Sequence, residues 1–477
     1  MSSIETGAPA LFEFTAEHGE LRAMLRRLFD RVVAEADERY CGSGSGGPTG
    51  SAPGSRAASI RSSGWRRVVH DAGIGELLFG TDQSLGPARE SSGTAIDIAI
   101  LAEESGAALY GGPLLSAAMI AALLEAGHEG CPAAPERSAR TRTSAYPSPD
   151  SVARERAVTP PVPVARLYEL ASRLRDGTVR PSVAAGVLTE PAVTDGQAAS
   201  KLKSGADAAW RGEYPGPARA VLTPTPTAQL AMHAGDALIY GADQRLSGRV
   251  EPIWDACEAA VLVCPAHDPA SGERVVAVLS TGAPGITASV LDGLDLSRAV
   301  GRADCAAVAA ELLLTGEFAQ HALTAMRTRG ELVLAAESLG LAQRALDRTV
   351  GYARGRVQFG RTIGSFQAVK HRLADLVSQV ELTRSAVYGA AWALTTAPEE
   401  PATAIDLAVA AALAAETSVT AAEAAVQLHG GIAITWEHWA HRALRRAHTV
   451  AALTGGAGRY RRQLAELLDS REGGHDR

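Results

Sequence analysis

The chain has 477 residues, 46% of them apolar and 21% charged, with a formal net charge of −7 at pH 7. At about 100–200 residues per domain, that length predicts two to four domains with ample core. The acidic balance argues against nucleic acid and anionic membranes as partners, and without an unbroken apolar run of about 18 residues no membrane span is expected.

The N-terminal MSSIETGAPALFEF lacks the basic and apolar blocks of a signal peptide, which predicts a cytoplasmic protein. Five cysteines (Cys41, Cys131, Cys257, Cys264 and Cys305) are scattered and never spaced as Cys-x-x-Cys. They read as reduced thiols rather than a disulfide framework or zinc site.

In chain order, residues 11–38 carry Leu21, Leu25, Leu28, Phe29, Val32 and Val33 near helical spacing. A Gly/Ser/Pro stretch at 42–60 reads as a flexible loop. Helical patches follow at 64–72, 95–108 and 114–127, so residues 1–128 form a helical N-terminal domain. Residues 129–163, rich in Pro, Ser and Arg, read as a low-complexity linker or insertion. After a helical patch at 164–175, short apolar runs at 183–188, 218–223, 237–240, 259–263 and 275–279 predict a β domain spanning 164–305. From 306 to 470 four long helical patterns (306–353, 365–395, 402–429 and 436–468) predict an antiparallel four-helix bundle, with Ser365 and Thr435 at N-cap positions. Residues 471–477 are a polar tail. The fold class is α+β, in the order helical, β, bundle.

Two segments could carry chemistry. In RGRVQFGRTIGSFQAVKHRLADL (354–376), Arg356, Gln358 and Gln367 place a guanidinium and two amides around one helix–helix corner. That donor set suits a phosphate or a ribose-bearing cofactor, and it also suits an ordinary polar turn. In EAAVQLHGGIAITWE (423–437), Gly430 and Gly431 end a long Ala-rich helix. They serve a C-cap and leave the backbone bare enough for a ligand to approach closely.

Taken together, these segments resemble the acyl-CoA dehydrogenase family, with its R-x-x-F-G…F-Q…L-A-D and Q-x-x-G-G-x-G…E signatures. The matching residues are Arg356, Gln358, Phe359, Gly360, Phe366, Gln367 and 373–376, then Gln427, Gly430, Gly431 and Glu437. Leu188, Thr189, Glu190 and Pro191 are similar to the family's T-E-P motif, and the order of domains agrees.

The resemblance implies non-covalent FAD shared across a subunit interface. The residues matching Arg356 and Gln367 would reach the diphosphate held by a neighbour, the segment Gln427–Gly431 would border the same dinucleotide, and Thr189 would lie near the flavin ring. Also implied are an acyl-CoA or carrier-bound thioester substrate, an electron-transfer flavoprotein or similar acceptor, and a homo- or hetero-oligomer, dimer or tetramer, of related chains. The reaction implied is α,β-desaturation, with a carboxylate removing the α-proton.

The two positions where the family carries that carboxylate differ here. Twenty-seven residues beyond Gln427 stands Thr454, followed by Gly455; ten residues before Gly340 stands Gly330. A threonine hydroxyl cannot serve as the base. Glu331, one residue from Gly330, is therefore the candidate base, against the plainer alternative of a solvated residue near a helix start. Glu337, one heptad on from Gly330, reads as a polar contact within the bundle. The last glycine of the G-G-x-G signature is Ala433, and the residues expected beside the flavin fall at Pro252 and Trp254.

Two other roles fit the same signatures: a non-catalytic partner subunit in a heteromer, and a flavin monooxygenase of the same fold. A di-metal carboxylate bundle needs two inward Glu-x-x-His motifs; the chain has Glu125–His128 outside the bundle, and His438, His441 and His448 lack the spacing.

Overall fold

The computed structural model describes residues 14–42, 65, 67–80, 93–129, 164–176, 181–184, 238–254, 260–291 and 293–472. The expectations for Thr189, for the strand at 218–223, for the insertion at 129–163 and for nearly all of the 42–60 loop lie outside those residues.

The N-terminal helices are α1 (Ala16–Gly42), α2 (Ile74–Phe79), α3 (Ala95–Ala107), α4 (Leu114–Glu129) and α5 (Val164–Arg175). Thr94 opens α3 with a reciprocal capping box to Asp97, which satisfies two amides that the first turn leaves unpaired. On α3, Glu103 sits almost wholly out of water. Arg22 of α1 and Arg384 of the bundle reach its two oxygens at 2.7 and 2.6 Å, and Tyr388 also donates to it. Burial alone would raise the Glu103 carboxyl; the arginines outweigh it and hold the pKa below its ordinary value.

Among the described residues the middle sheet has eight strands: β1 (Pro181–Ala184), β2 (Leu238–Tyr240), β3 (Arg245–Trp254), β4 (Val261–Asp268), β5 (Glu273–Ser280), β6 (Ile286–Val290), β7 (Val300–Ala309) and β8 (Glu311–Thr315). Their order is β6-β7-β3-β1-β4-β5-β8, with β2 pairing β3 and β4. Alternation along β4 explains its two-sided burial. Val261 and Val263 face the helical core, while Leu262 and Cys264 face the sheet's own interior. Cys264 and Cys305 are free thiols in that interior.

Strand pairing runs to Thr315, beyond the boundary read at 305/306. The stretch 300–309 is rich in alanine and suits a helix, yet Ala303, Cys305 and Val308 bury into the β interior; tertiary packing outweighs propensity.

The bundle consists of α6 (Gly316–Gly355), α7 (Gln367–Thr396), α8 (Pro401–His429), α9 (Trp439–Thr454) and α10 (Gly456–Glu472). The pattern read as one helix over 436–468 is two, because Gly455 at φ 79° and Gly456 at φ 61° break it. Neither expected N-cap holds. Phe366 and His438 occupy those positions, and the His438 ring accepts from the Ala440 amide at 3.2 Å. Ser365 and Thr435 instead donate to the carbonyls of Thr362 and Ile432.

Helix α8 is long and apolar enough to cross a membrane by length and composition, although no unbroken apolar run marks it. Half of that stretch is buried, and α8 packs against α6, α7 and α10. At the crossing of α3 and α6 the backbones nearly touch. A Cβ on Gly340 would stand 2.7 Å from the Glu103 carbonyl carbon and 3.0 Å from the Ala107 nitrogen, so alanine there would force the helices apart.

Candidate active site

Helix α6 ends at Arg356, whose extended backbone leads into a two-residue hairpin, Val357–Gln358 with Arg361–Thr362. Phe359 (φ 54°) and Gly360 (φ 75°) turn it. The Ile363 amide closes the corner on the Arg356 carbonyl at 2.8 Å, and Gln367 then begins α7. Arg361 stacks over the Phe366 ring at 4.0 Å, which stiffens the turn. Arg356, Gln358 and Gln367 are all exposed, and Phe359 is 93% exposed. Gln358 donates to the neighbouring Val357 carbonyl at 2.8 Å.

The second segment adjoins this corner. Tyr352, one turn before Arg356, stacks on His429 with ring centroids 4.2 Å apart. Next to His429, Gly430 (φ 68°) caps α8, and a Cβ at Gly430 or Gly431 would meet nothing within 4 Å. Gln427, Gly430 and Gly431 are exposed. One guanidinium, several amides and bare backbone thus lie on one accessible surface. That donor set fits a diphosphate, whose oxygens accept forked guanidinium and amide hydrogen bonds. Ile432, Ile434 and Trp436 continue this surface as exposed apolar side chains, and Ala433, in place of the signature's last glycine, is buried.

Trp254 is fully buried in the helical core beneath Arg298, 5.7 Å from its ring. With no exposed area in this subunit it is a packing residue of that core.

Glu331 corrects the alternative of a solvated residue at a helix start. It lies well inside α6 and is 2% exposed. Its Oε1 accepts from Arg459 Nη2 at 3.0 Å, and Arg459 Nη1 donates to the Thr454 carbonyl at 3.3 Å. One guanidinium therefore joins Glu331 to the backbone of Thr454, so the two regions where the family carries its base converge in space. Burial pushes the Glu331 pKa up, against the opposing pull of Arg327 and Arg459. A carboxylate raised in this way is a stronger base than an ordinary one. The Thr454 hydroxyl donates to the Val450 carbonyl at 2.8 Å and so is committed to its own helix.

Glu337 is a polar contact within the fold, as its spacing predicted. Arg446 and Arg298 hold its two oxygens. Arg446 also reaches Asp295 at 2.6 Å, the Ser297 hydroxyl at 2.7 Å and the Tyr110 carbonyl at 3.0 Å. This cluster ties the N-terminal helices, the loop before β7 and the bundle together. Sequence reasoning missed Arg446 and Arg459. The available signal for Arg446 is a basic residue in phase with the buried Ala440, Ala443, Ala447 and Val450. His441 is buried and stacks on Trp436, ring centroids 5.6 Å apart.

Residues 317–468 match the family described as "Acyl-CoA dehydrogenase, C-terminal domain". Among curated proteins, the chain is 51% identical over 122 residues to acyl-CoA dehydrogenase IpdE2 of Mycobacterium tuberculosis, covering 26% of this chain and 36% of that protein. It is 36% identical over 220 residues to acyl-CoA dehydrogenase FadE27 of the same organism, covering 44% of this chain and 54% of that protein. The chain thus spans about a third to a half of the length of these two relatives. Among solved structures, the ChsE4-ChsE5 complex from Mycobacterium tuberculosis matches with a TM-score of 0.65 at 22% identity, covering 96% of this chain and 99% of that one. Butyryl-CoA dehydrogenase from Megasphaera elsdenii matches with a TM-score of 0.60 at 18% identity, again covering 96% and 99%. At these identities the two structures establish the fold.

Proposed function

We propose that the chain, whose residues 317–468 match the C-terminal domain of the acyl-CoA dehydrogenases and which is 51% identical over 122 residues to one of them, is a subunit of an FAD-dependent dehydrogenase that desaturates an acyl-CoA thioester. The observation that carries this proposal is the exposed corner in which Arg356, Gln367 and the Gln427–Gly431 segment come together around the Tyr352–His429 stack.

FAD, the family's cofactor, supplies the acceptor for the β-hydrogen as hydride when bound. Arg356 and Gln367 would hold its diphosphate, with bare backbone at Gly430 and Gly431 alongside. Because these groups point outward from the subunit, they serve a dinucleotide lodged in a neighbour, and flavin binding is then linked to oligomer assembly. Glu331 takes the substrate's α-proton. Arg459 occupies Oε1 and fixes the carboxylate, leaving Oε2 to accept the proton. An electron-transfer flavoprotein or a similar acceptor would be the partner that takes up the electrons.

A second reading, in which this chain completes the flavin site of a homologous catalytic subunit, is favoured by one observation. Thr454 lacks a carboxylate, and Glu331, at 2% exposure, is paired with Arg459. The ChsE4-ChsE5 structure, a complex of two named chains, has the same fold.

Arg356→Gln tests the shared corner. It keeps a polar side chain on an exposed turn, so folding is expected to be unchanged, while the loss of a charge-assisted bond weakens FAD retention by about 1.5–3 kcal/mol, roughly ten- to a hundred-fold. Flavin content after gel filtration checks this; full retention in Arg356→Gln would move the diphosphate elsewhere.

A further inference from the structure

A buried tyrosine adjoins the Glu331–Arg459 pair. Gly455 at φ 79° and Gly456 at φ 61° turn the backbone sharply between α9 and α10, which brings Thr454, Arg459 and Tyr460 to one place. Gly455 must also be bare. A Cβ there would stand 3.1 Å from the Arg459 Cβ and 3.2 Å from its Cδ, so the arginine stem lies along this glycine on its way to Glu331. Tyr460 is the one described side chain of α10 that is buried. Its ring packs with Ala411 and Ala412 of α8, two small residues that leave room for it.

A series of hydrogen bonds runs through this tyrosine. The phenol oxygen meets the Arg459 guanidinium and the Thr454 hydroxyl. A guanidinium has donors alone, so the phenol accepts from Arg459. The Thr454 hydroxyl already donates to the Val450 carbonyl at 2.8 Å, so it accepts from the phenol. Burial and the charge of Glu331 push the phenol's pKa up, which keeps it neutral and able to play both parts. The Arg459 guanidinium carbon lies 4.9 Å from the Tyr460 ring centroid, and its Nη2 ends on Glu331 Oε1 at 3.0 Å.

The charges that act on Glu331 are Arg327, one turn earlier on α6, and Arg459 on α10. Beneath Tyr460, α8 contributes the uncharged Ala411 and Ala412, and α9 ends at Thr454. Glu125 of α4 and Arg329 of α6 pair with each other at 3.1 Å. Arg327 shares a helix with Glu331, whereas Arg459 arrives from another helix on a long stem, and its place depends on what holds it. We propose that Tyr460 is a positioning residue for the base, its phenol holding the Arg459 guanidinium on Oε1 of Glu331 so that Oε2 is left to take the proton. This role rests on the dehydrogenase reading, in which Glu331 removes the α-proton.

Burial raises the Glu331 pKa and Arg459 opposes it, so a loosened Arg459 lets the pKa climb further. Tyr460→Phe keeps the ring and loses the phenol oxygen; Glu331 is then expected to titrate about half to one pH unit higher, the worth of one hydrogen bond. Arg459→Gln should raise it more, and the double variant no further than Arg459→Gln alone, because Tyr460 acts through Arg459. Infrared titration of the purified full-length chain reads this from the carboxyl stretch that Glu331→Gln removes. The acid limb of flavin reduction by an acyl-CoA should move to higher pH in step, since Glu331 accepts a proton only when ionised. An unchanged Glu331 titration in Tyr460→Phe overturns the proposal, as does a double variant that rises beyond Arg459→Gln. Should circular dichroism show that Tyr460→Phe does not fold, Thr454→Val removes the phenol's acceptor and carries the test, with a smaller rise expected and no rise overturning the role. If no thioester reduces the flavin of the unaltered chain, the dehydrogenase reading fails, and the infrared titration still decides whether Tyr460 holds the Arg459–Glu331 pair.

Discussion

Replacing Arg446 with methionine is expected to remove about 3–5 kcal/mol of stability, the usual cost of leaving buried charges without their partner. The guanidinium is 1% exposed and contacts Asp295, Glu337, Ser297 and the Tyr110 carbonyl at once. Methionine fills much of the volume but leaves two carboxylates out of water with Arg298 as the remaining cation on Glu337. A urea titration at neutral pH measures the loss, and removing Glu337 together with Arg446 should recover part of it.

The same cluster sets an acid dependence. Burial would raise the Glu337 carboxyl, but Arg298 and Arg446 outweigh it and hold the pKa below its ordinary value. A carboxylate depressed in the folded state adds stability above its unfolded pKa, and that stability is lost as pH falls through the folded value. The urea midpoint of the unaltered chain should therefore drop on acidification below about pH 4.3, the ordinary glutamate value. In Arg446→Met the drop should be smaller, because less of the depression remains.

Glu331→Gln is expected to slow reduction of the bound flavin by an acyl-CoA about 10²–10⁴-fold, the usual worth of a positioned general base, with flavin content unchanged. Glutamine keeps an acceptor for Arg459 and loses the proton-accepting oxygen, so the helix should stand. Rapid-mixing spectroscopy of flavin reduction separates the two readings of function. An unchanged rate removes Glu331 from the reaction and leaves the base to another residue.

The Arg356 corner was legible in the sequence because its donors lie within a dozen residues, and a short turn between two helices keeps sequence neighbours together in space. Its junction with the Gly430 segment depends on the Tyr352–His429 stack, a contact between distant helices that no local pattern announces. The boundary near 306 was misplaced because alanine serves helix and strand alike when a β interior is there to receive it. The division of the last long helix rests on two positive φ angles at Gly455 and Gly456, whereas other helical glycines, such as Gly351 in α6, leave their helix intact. Arg446 and Arg459 were hidden for another reason. Each stands in an arginine-rich run, and which guanidinium turns inward is fixed by carboxylates on α6 more than a hundred residues earlier.

The proposed function is tested most directly by the anaerobic visible spectrum of this chain purified alone, recorded before and after a panel of acyl-CoA thioesters is added. The proposed dehydrogenase should carry a bound flavin that at least one thioester bleaches, with Glu331 as its base. A chain that carries no flavin, or one whose flavin stays oxidised until a second homologous subunit is added, would contradict it.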